Sequence, residues 1–311
     1  MTRLLSILIP AIILFGCSTS ANKNDKEKTG AGSSEQDQKT GTSIVVNDVP
    51  IEYDECSLHD TTLLFIHGWA INKDYWDEQK KYFCGKYKVV TLDLPGFGKS
   101  GKKRSNWSFE QYADDINEFI KAKKLKNVIL IGHSMSGDIL LLVDTKYPES
   151  VFGIVGIDNL KKPGVGHSIG QKEEFESAMT MMATNYSGTV ERFTHELFPS
   201  SVDTQIINRV IRDLKNNDSV IATKVLRSFG DISQKERDMM QQLKHKLYLV
   251  NSDENFTEID SLKKYCKASA EVVYVNGTGH YPMIEKPAEF NAALEKVVQM
   301  ILSQPAPVGG Q

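Results

Sequence analysis

From Ile44 to Leu302 the chain alternates short apolar runs with stretches whose apolar residues recur every three to four positions. "IVV" and "IEYDEC" flank "NDVP" and predict a hairpin. "TLLFI", Thr62–Ile66, predicts a buried strand and is followed by "HGW". "DYWDEQKKYFC" predicts a helix with Tyr75, Trp76, Gln79 and Phe83 near one face, and "YKVVTLD" a strand. Ser108 is placed to cap a helix whose Phe109, Tyr112, Ile116 and Phe119 fall at helical spacing. "NVILIG" predicts a strand, "DILLLVDTKY" a helix stopped by Pro148, and "VFGIVGID" another strand. Continuous apolar strands alternating with helices predict a parallel sheet covered on both faces.

The alternation stops at Asn159. Up to about His245 no strand pattern occurs, and four stretches between Lys172 and Phe229 show helical spacing. It resumes with the strand "KLYLVN", a helix through "EIDSLKKYC", the strand "EVVYVN" and a last helix, "PAEFNAALEKVVQMIL". A helical block, 159–245, is therefore inserted between two halves of one α/β unit, 43–158 and 246–303.

Composition adds limits. The 311 residues suit one large domain or two ordinary ones, and 40 % apolar with 25 % charged residues is a globular balance. The net charge of −3, from 37 basic and 40 acidic residues without a basic block, gives a nucleic-acid partner no electrostatic support. There is no internal repeat.

The N-terminus reads differently from the rest. Arg3 precedes an apolar run from Leu4 to Phe15, shorter than the ~20 residues a membrane-spanning helix needs. It fits the hydrophobic region of a secretory signal, 1–16. It ends in "LFGC", Leu14–Cys17, which resembles a bacterial lipoprotein signal with Cys17 as the lipidated residue; Phe15 is bulkier than the usual residue at −2. An ordinary signal peptide with a chance cysteine is the alternative. Lipidation implies anchoring to an envelope membrane, facing away from the cytoplasm. In Ser18–Thr42 the only apolar residues are Ala21 and Ala31, so 17–42 reads as a disordered tether and 304–311 as a flexible tail.

The chemistry centres on "IGHSMSG", Ile131–Gly137, between a buried strand and an apolar helix. Ser134 is there either as a helix N-cap or as a nucleophile on a sharp strand-to-helix turn, which needs small neighbours. Four segments together resemble the α/β-hydrolase family across roughly Ile44–Leu302: "GHSMSG", "FIHGW" (Phe65–Trp69), "LDLPGFGKS" (Leu92–Ser100) and "NGTGHYPMIEKP" (Asn276–Pro287). Ser136 stands where the family more often has glycine. The resemblance implies an eight-stranded, mostly parallel sheet with helices on both faces and a helical cap. It implies Ser134 as nucleophile, His280 as its base, and the backbone N–H groups of Trp69 and Met135 as the oxyanion hole. His67 is implied as a structural hydrogen-bonder and Asp93 as a turn acceptor. For His167 and His195, in the block, a solvated or surface role is expected.

The acid of such a triad stays open in the sequence. The family usually carries it after the next-to-last strand, where "VNSDENFTE" puts Asn255 at the matching position. Asp253 lies two places early, and Glu254 is a further substitute. Asp158, at the end of "FGIVGID", is the other candidate, since some relatives carry the acid there.

The resemblance implies a serine hydrolase that cleaves an ester or related acyl bond of a small molecule, with no cofactor and no metal. An acyltransferase, a C–C bond hydrolase and a catalytically silent ligand-binding lipoprotein are the alternatives. Dehalogenase and epoxide hydrolase chemistry need an aspartate where Ser134 stands. The methionines of "AMTMM", Ala178–Met182, would either line an apolar pocket or simply pack the helix. In the family's strand layout the second strand runs antiparallel to "YKVVTLD", which implies a Cys56–Cys84 disulfide and a free Cys266.

Overall fold

The computed structural model describes residues 42–56, 58–163, 169–232 and 235–304. Cys17, the signal, nearly all of the tether, His167 and residues 305–311 lie outside them.

Eight strands form one sheet: β1 (Thr42–Val46), β2 (Val49–Cys56), β3 (Thr62–Ile66), β4 (Lys88–Leu92), β5 (Val128–His133), β6 (Gly153–Ile157), β7 (Leu247–Ser252) and β8 (Ala270–Val275). Their order across the sheet is β1-β2-β4-β3-β5-β6-β7-β8. β1 and β2 make the predicted hairpin through Asn47 and Asp48, whose φ angles of 47° and 62° are those of a tight hairpin turn. β2 runs antiparallel to β4, and β4 through β8 are parallel. Every residue of β3, β5, β6 and β7 is buried, which explains their unbroken apolar character.

Helices α1 (Asp77–Phe83), α2 (Phe109–Ala122) and α3 (Ser136–Lys146) connect the first parallel strands. α2 starts where Ser108 Oγ accepts from the Gln111 N–H at 3.2 Å, and it buries Phe109, Tyr112, Ile116 and Phe119 completely. The inserted block is helical: α4 (Ile169–Thr184), α5 (Tyr186–His195), α6 (Thr204–Lys215), α7 (Ser219–Ile232) and α8 (Glu236–Gln242). After β7 come α9 (Ile259–Tyr265), a short α10 (Pro282–Glu285) not anticipated from the pattern, and α11 (Pro287–Leu302). Cys56, at the end of β2, and Cys84, just after α1, form a disulfide with Cα atoms 5.8 Å apart; Cys266 is free and buried.

The parallel strands share one direction, so the residues that follow β3, β5, β6 and β8 emerge at one edge of the sheet. That is where open α/β sheets carry their ligand crevices.

Candidate active site

Ser134 follows β5 directly, in the left-handed region at φ 54°. A non-glycine residue there is strained, and the surroundings must hold it. The Ser134 N–H donates to Ile157 O at 3.0 Å, and its carbonyl accepts from Gly137 N–H at 2.9 Å as α3 begins. Gly132 is required by space: a Cβ there would stand 2.8 Å from Ser136 O. Ser136, the family departure, is buried and donates its hydroxyl to His67 O at 2.6 Å, tying the elbow to the loop after β3. Gly68 in that loop is equally constrained, since a Cβ would meet His133 Nδ1 at 2.6 Å.

His280 lies on the loop between β8 and α10. The Ser134 hydroxyl donates to His280 Nε2 at 2.8 Å, and His280 Nδ1–H donates to Asp158 Oδ2 at 2.7 Å. The structure thus brings Asp158 to the histidine. Asp253, the other candidate acid, instead accepts from the Gly277 N–H at 2.6 Å. Glu254, one residue on, is exposed. Asp158 is turned by its own backbone, at φ 46°, and by Asn159, whose side chain donates to Gly132 O at 2.8 Å. Burial alone would raise the Asp158 carboxyl, but the Lys161 ammonium beside it and the hydrogen bond from His280 hold it well below the usual carboxylate range.

The peptide of His280 is held on every side. Its N–H donates to Leu197 O of the inserted block at 2.8 Å, and its carbonyl accepts from His133 Nε2–H at 2.7 Å. The Glu285 carboxylate accepts from the N–H groups of both neighbours, Gly279 at 2.7 Å and Tyr281 at 2.8 Å. Burial pushes the Glu285 carboxyl up to about 7, against those two hydrogen bonds. Burial, with the nearby His280, pushes His133 down to about 3, so it is a neutral donor. Sequence reasoning missed His133 and Glu285 as supports; the signal was their position inside the two segments, one residue before Ser134 and five after His280.

His67 accepts from Leu94 N–H at 2.9 Å and donates to Gly68 O at 2.7 Å. Burial pushes it down to about 4, and it takes no part in the Ser134 array. Asp93 accepts from the N–H groups of Lys73 at 2.7 Å and Lys99 at 2.8 Å, a turn acceptor as expected. His195 ends α5 and is exposed.

Trp69 and Met135 flank Ser134. Among the described residues no carbonyl or side chain accepts from the backbone N–H of either. The Trp69 indole donates to Ala222 O of α7 at 2.8 Å and meets the rings of Tyr186 and Phe193 edge-on. The next residue, Ala70, accepts through its carbonyl from the Asn217 side chain at 2.5 Å. The inserted helices are therefore fastened to the Trp69 loop and, through Leu197, to the His280 loop.

Beneath them lies a cavity of about 60 Å³ bordered by Ser134, His133 and His280. Its other walls are Trp69, Met135 and Tyr281 from the sheet side and Phe193, Leu197, Leu226 and Phe229 from the inserted helices. The methionines of Ala178–Met182 do not line it: Met179 and Met182 are buried where α4 packs on α5 and α7. Helix packing is their role, because α4 lies behind the helices that reach the cavity.

A histidine that accepts from a serine hydroxyl and is oriented by a buried carboxylate can take the proton from that serine and pass it on.

The family model described as "alpha/beta hydrolase fold" matches residues 61–244, a span holding Trp69, Ser134 and Asp158. A pimeloyl-[acyl-carrier protein] methyl ester esterase of Wigglesworthia glossinidia brevipalpis is 30 % identical over 162 residues, 50 % of this chain and 57 % of that one. A non-heme chloroperoxidase of Kitasatospora aureofaciens is 36 % identical over 76 residues, 24 % of this chain and 28 % of that one. The chain thus spans under two thirds of the length of either relative. An esterase structure from Exiguobacterium antarcticum superposes with a TM-score of 0.73 at 19 % identity, over 85 % of this chain and 100 % of that one. By its family match and its sheet, this chain belongs to the α/β-hydrolase fold family.

Proposed function

We propose that the chain is a serine hydrolase that cleaves an ester or related acyl bond through an acyl-enzyme on Ser134. The observation that carries this is the unbroken run of hydrogen bonds from Ser134 Oγ through His280 to Asp158, 2.8 and 2.7 Å long. The esterase among the similar sequences agrees with it.

In this reading His280 Nε2 takes the Ser134 proton as Oγ attacks the substrate carbonyl carbon. The imidazolium keeps its Nδ1–H on Asp158, which stabilises the charge. The carbonyl oxygen, now an oxyanion, accepts from the Trp69 N–H in the loop after β3 and from the Met135 N–H at the start of α3, where the helix dipole adds to it. His280 returns the proton to the departing alkoxide as the C–O bond breaks. Water, deprotonated by the same ring, then cleaves the acyl–Ser134 bond.

Among the described residues the cavity walls carry no charged side chain, which in this reading favours a short, uncharged, apolar acyl ester as substrate. A lipid on Cys17 would hold this enzyme on an envelope membrane by way of the 17–42 tether, with no nucleic-acid partner involved.

An active-site fluorophosphonate should label the wild-type chain and leave Ser134→Ala unlabelled, and short p-nitrophenyl esters should be hydrolysed only by the former. Equal labelling of both rules the reading out. Anchoring is checked separately: Cys17→Ser should move the expressed protein from the membrane to the soluble fraction.

A further inference from the structure

Asp158 has a second partner that the Ser134 array does not need for proton transfer. While Oδ2 accepts from His280, Oδ1 accepts from the Ser252 N–H at 2.8 Å and from Lys161 Nζ at 2.7 Å. The same ammonium donates to Ser252 Oγ at 2.8 Å. Both side chains are nearly buried, 11 % exposed for Lys161 and 4 % for Asp158. The chain bends sharply to achieve this: Asp158 and Leu160 are both left-handed, at φ 46° and 50°, which for a leucine is costly. The Lys161 carbonyl is fixed in turn by the Glu258 N–H at 2.7 Å. Lysine, aspartate, histidine and serine thus form one line.

We propose that Lys161 is a positioning residue for His280: it locks Asp158 with Oδ2 on the ring and offsets the aspartate charge, so that the site works at lower pH than the same three residues would alone. The proposal rests on the serine-hydrolase reading above.

Without Lys161, Oδ1 would keep only the Ser252 N–H; the ammonium adds a second, charged donor on the same oxygen and braces it against Ser252 Oγ, which holds the carboxylate plane more firmly against the ring. The charge matters as well. A lone buried carboxylate favours a protonated ring at rest, and a protonated ring cannot accept the Ser134 proton. Lys161 makes its pair with Asp158 neutral overall, so the ring stays available as base into more acidic solution. The other titratable groups around the ring are the same with or without Lys161. They are His133, its ring centroid 4.8 Å away and kept neutral by burial, the neighbouring Tyr281, and Glu285 under the loop. Asp253 and Glu254 follow β7, and Lys286, after α10, donates to Asn276 O.

The test is the pH dependence of kcat/KM for p-nitrophenyl acetate between about pH 4 and pH 9, in the full chain. Wild type, Lys161→Gln, Lys161→Met and Lys161→Arg are compared, with Ser134→Ala as control. Lys161→Gln keeps a donor for Asp158 without the charge and is the variant least prone to misfold. In the Gln and Met variants the acid limb should move up by about one pH unit, a roughly tenfold loss on that limb, while the plateau changes less. Lys161→Arg should restore the wild-type limb. A limb that stays in place in the Gln variant, whether the plateau falls or not, overturns the proposal and leaves Lys161 a structural ion pair. Activity surviving in Ser134→Ala would instead overturn the serine-hydrolase reading, so the two failures are distinct.

Discussion

β6 and β7 are neighbours in the sheet, run in the same direction, and each leads into an aspartate at the edge that carries Ser134. The two aspartates nevertheless do different things. Asp158 leaves β6 in a left-handed turn with its carboxylate between His280 and Lys161. β7 runs on to Ser252, and Asp253 beyond it caps the Gly277 amide at the base of the histidine loop. One acid touches the ring, and the other holds the loop that carries it. Each is the first residue after its strand, but Ile157 stands opposite Val250, so β7 carries its aspartate two residues farther than β6 does, and only Asp158 then turns left-handed; strand length and backbone turn together set the two apart.

The largest effect expected from this difference is on turnover. Asp158→Asn should lower kcat by on the order of 10⁴-fold, as loss of the orienting acid does in serine proteases. Asp253→Asn should stay within about fivefold, the scale of one ordinary hydrogen bond. Steady-state kinetics on a short ester separates the two, and the reverse ranking breaks the comparison.

Glu285 asks whether the loop itself needs holding. Glu285→Gln leaves one of the two N–H groups flanking His280 facing an amide NH₂, and should cost roughly tenfold or more in kcat. It also carries a pH signature. The folded carboxyl is pushed up to about 7 from its usual 4.5, so the stability tied to its proton is complete below about 4.5 and is lost as pH rises to about 7. Thermal melts across that window should fall with pH in the wild type and flatten in the Gln variant.

Asn159 joins the two strand ends, donating to Gly132 O at 2.8 Å and accepting through its carbonyl from the Asn251 side chain at 3.0 Å. Asn159→Ala should destabilise the fold by about 1–3 kcal/mol, since it frees a buried carbonyl, and denaturant titration measures that. Smallest is Asp253→Ala, which should lower stability by about 1 kcal/mol and leave the acid limb of the pH profile unmoved.

The sheet was legible because its central strands are buried and nearly unbroken in apolar character and helices such as α2 are amphipathic, down to the Ser108 cap. The segments around Ser134 and His280 stood out because close packing requires the small residues beside them. The acid could not be chosen from sequence. A left-handed aspartate looks like any other, and the nominal family position holds Asn255. Lys161 was invisible for a related reason: it reaches Asp158 only through the left-handed Leu160, a conformation no residue pattern announces. The methionines of α4 left both readings open, since helical spacing says that they are buried but not against what.

The central claim is that Ser134 is acylated by a base that Asp158, and not Asp253, orients. Rapid quenching after mixing with a p-nitrophenyl ester, followed by mass analysis of the Ser134 peptide, tests it directly. The acyl group should appear on Ser134 within about fivefold of the wild-type rate in Asp253→Asn and be slowed by on the order of 10⁴-fold in Asp158→Asn. Acylation of Asp158→Asn at the wild-type rate, or an acyl group on another residue, would contradict it.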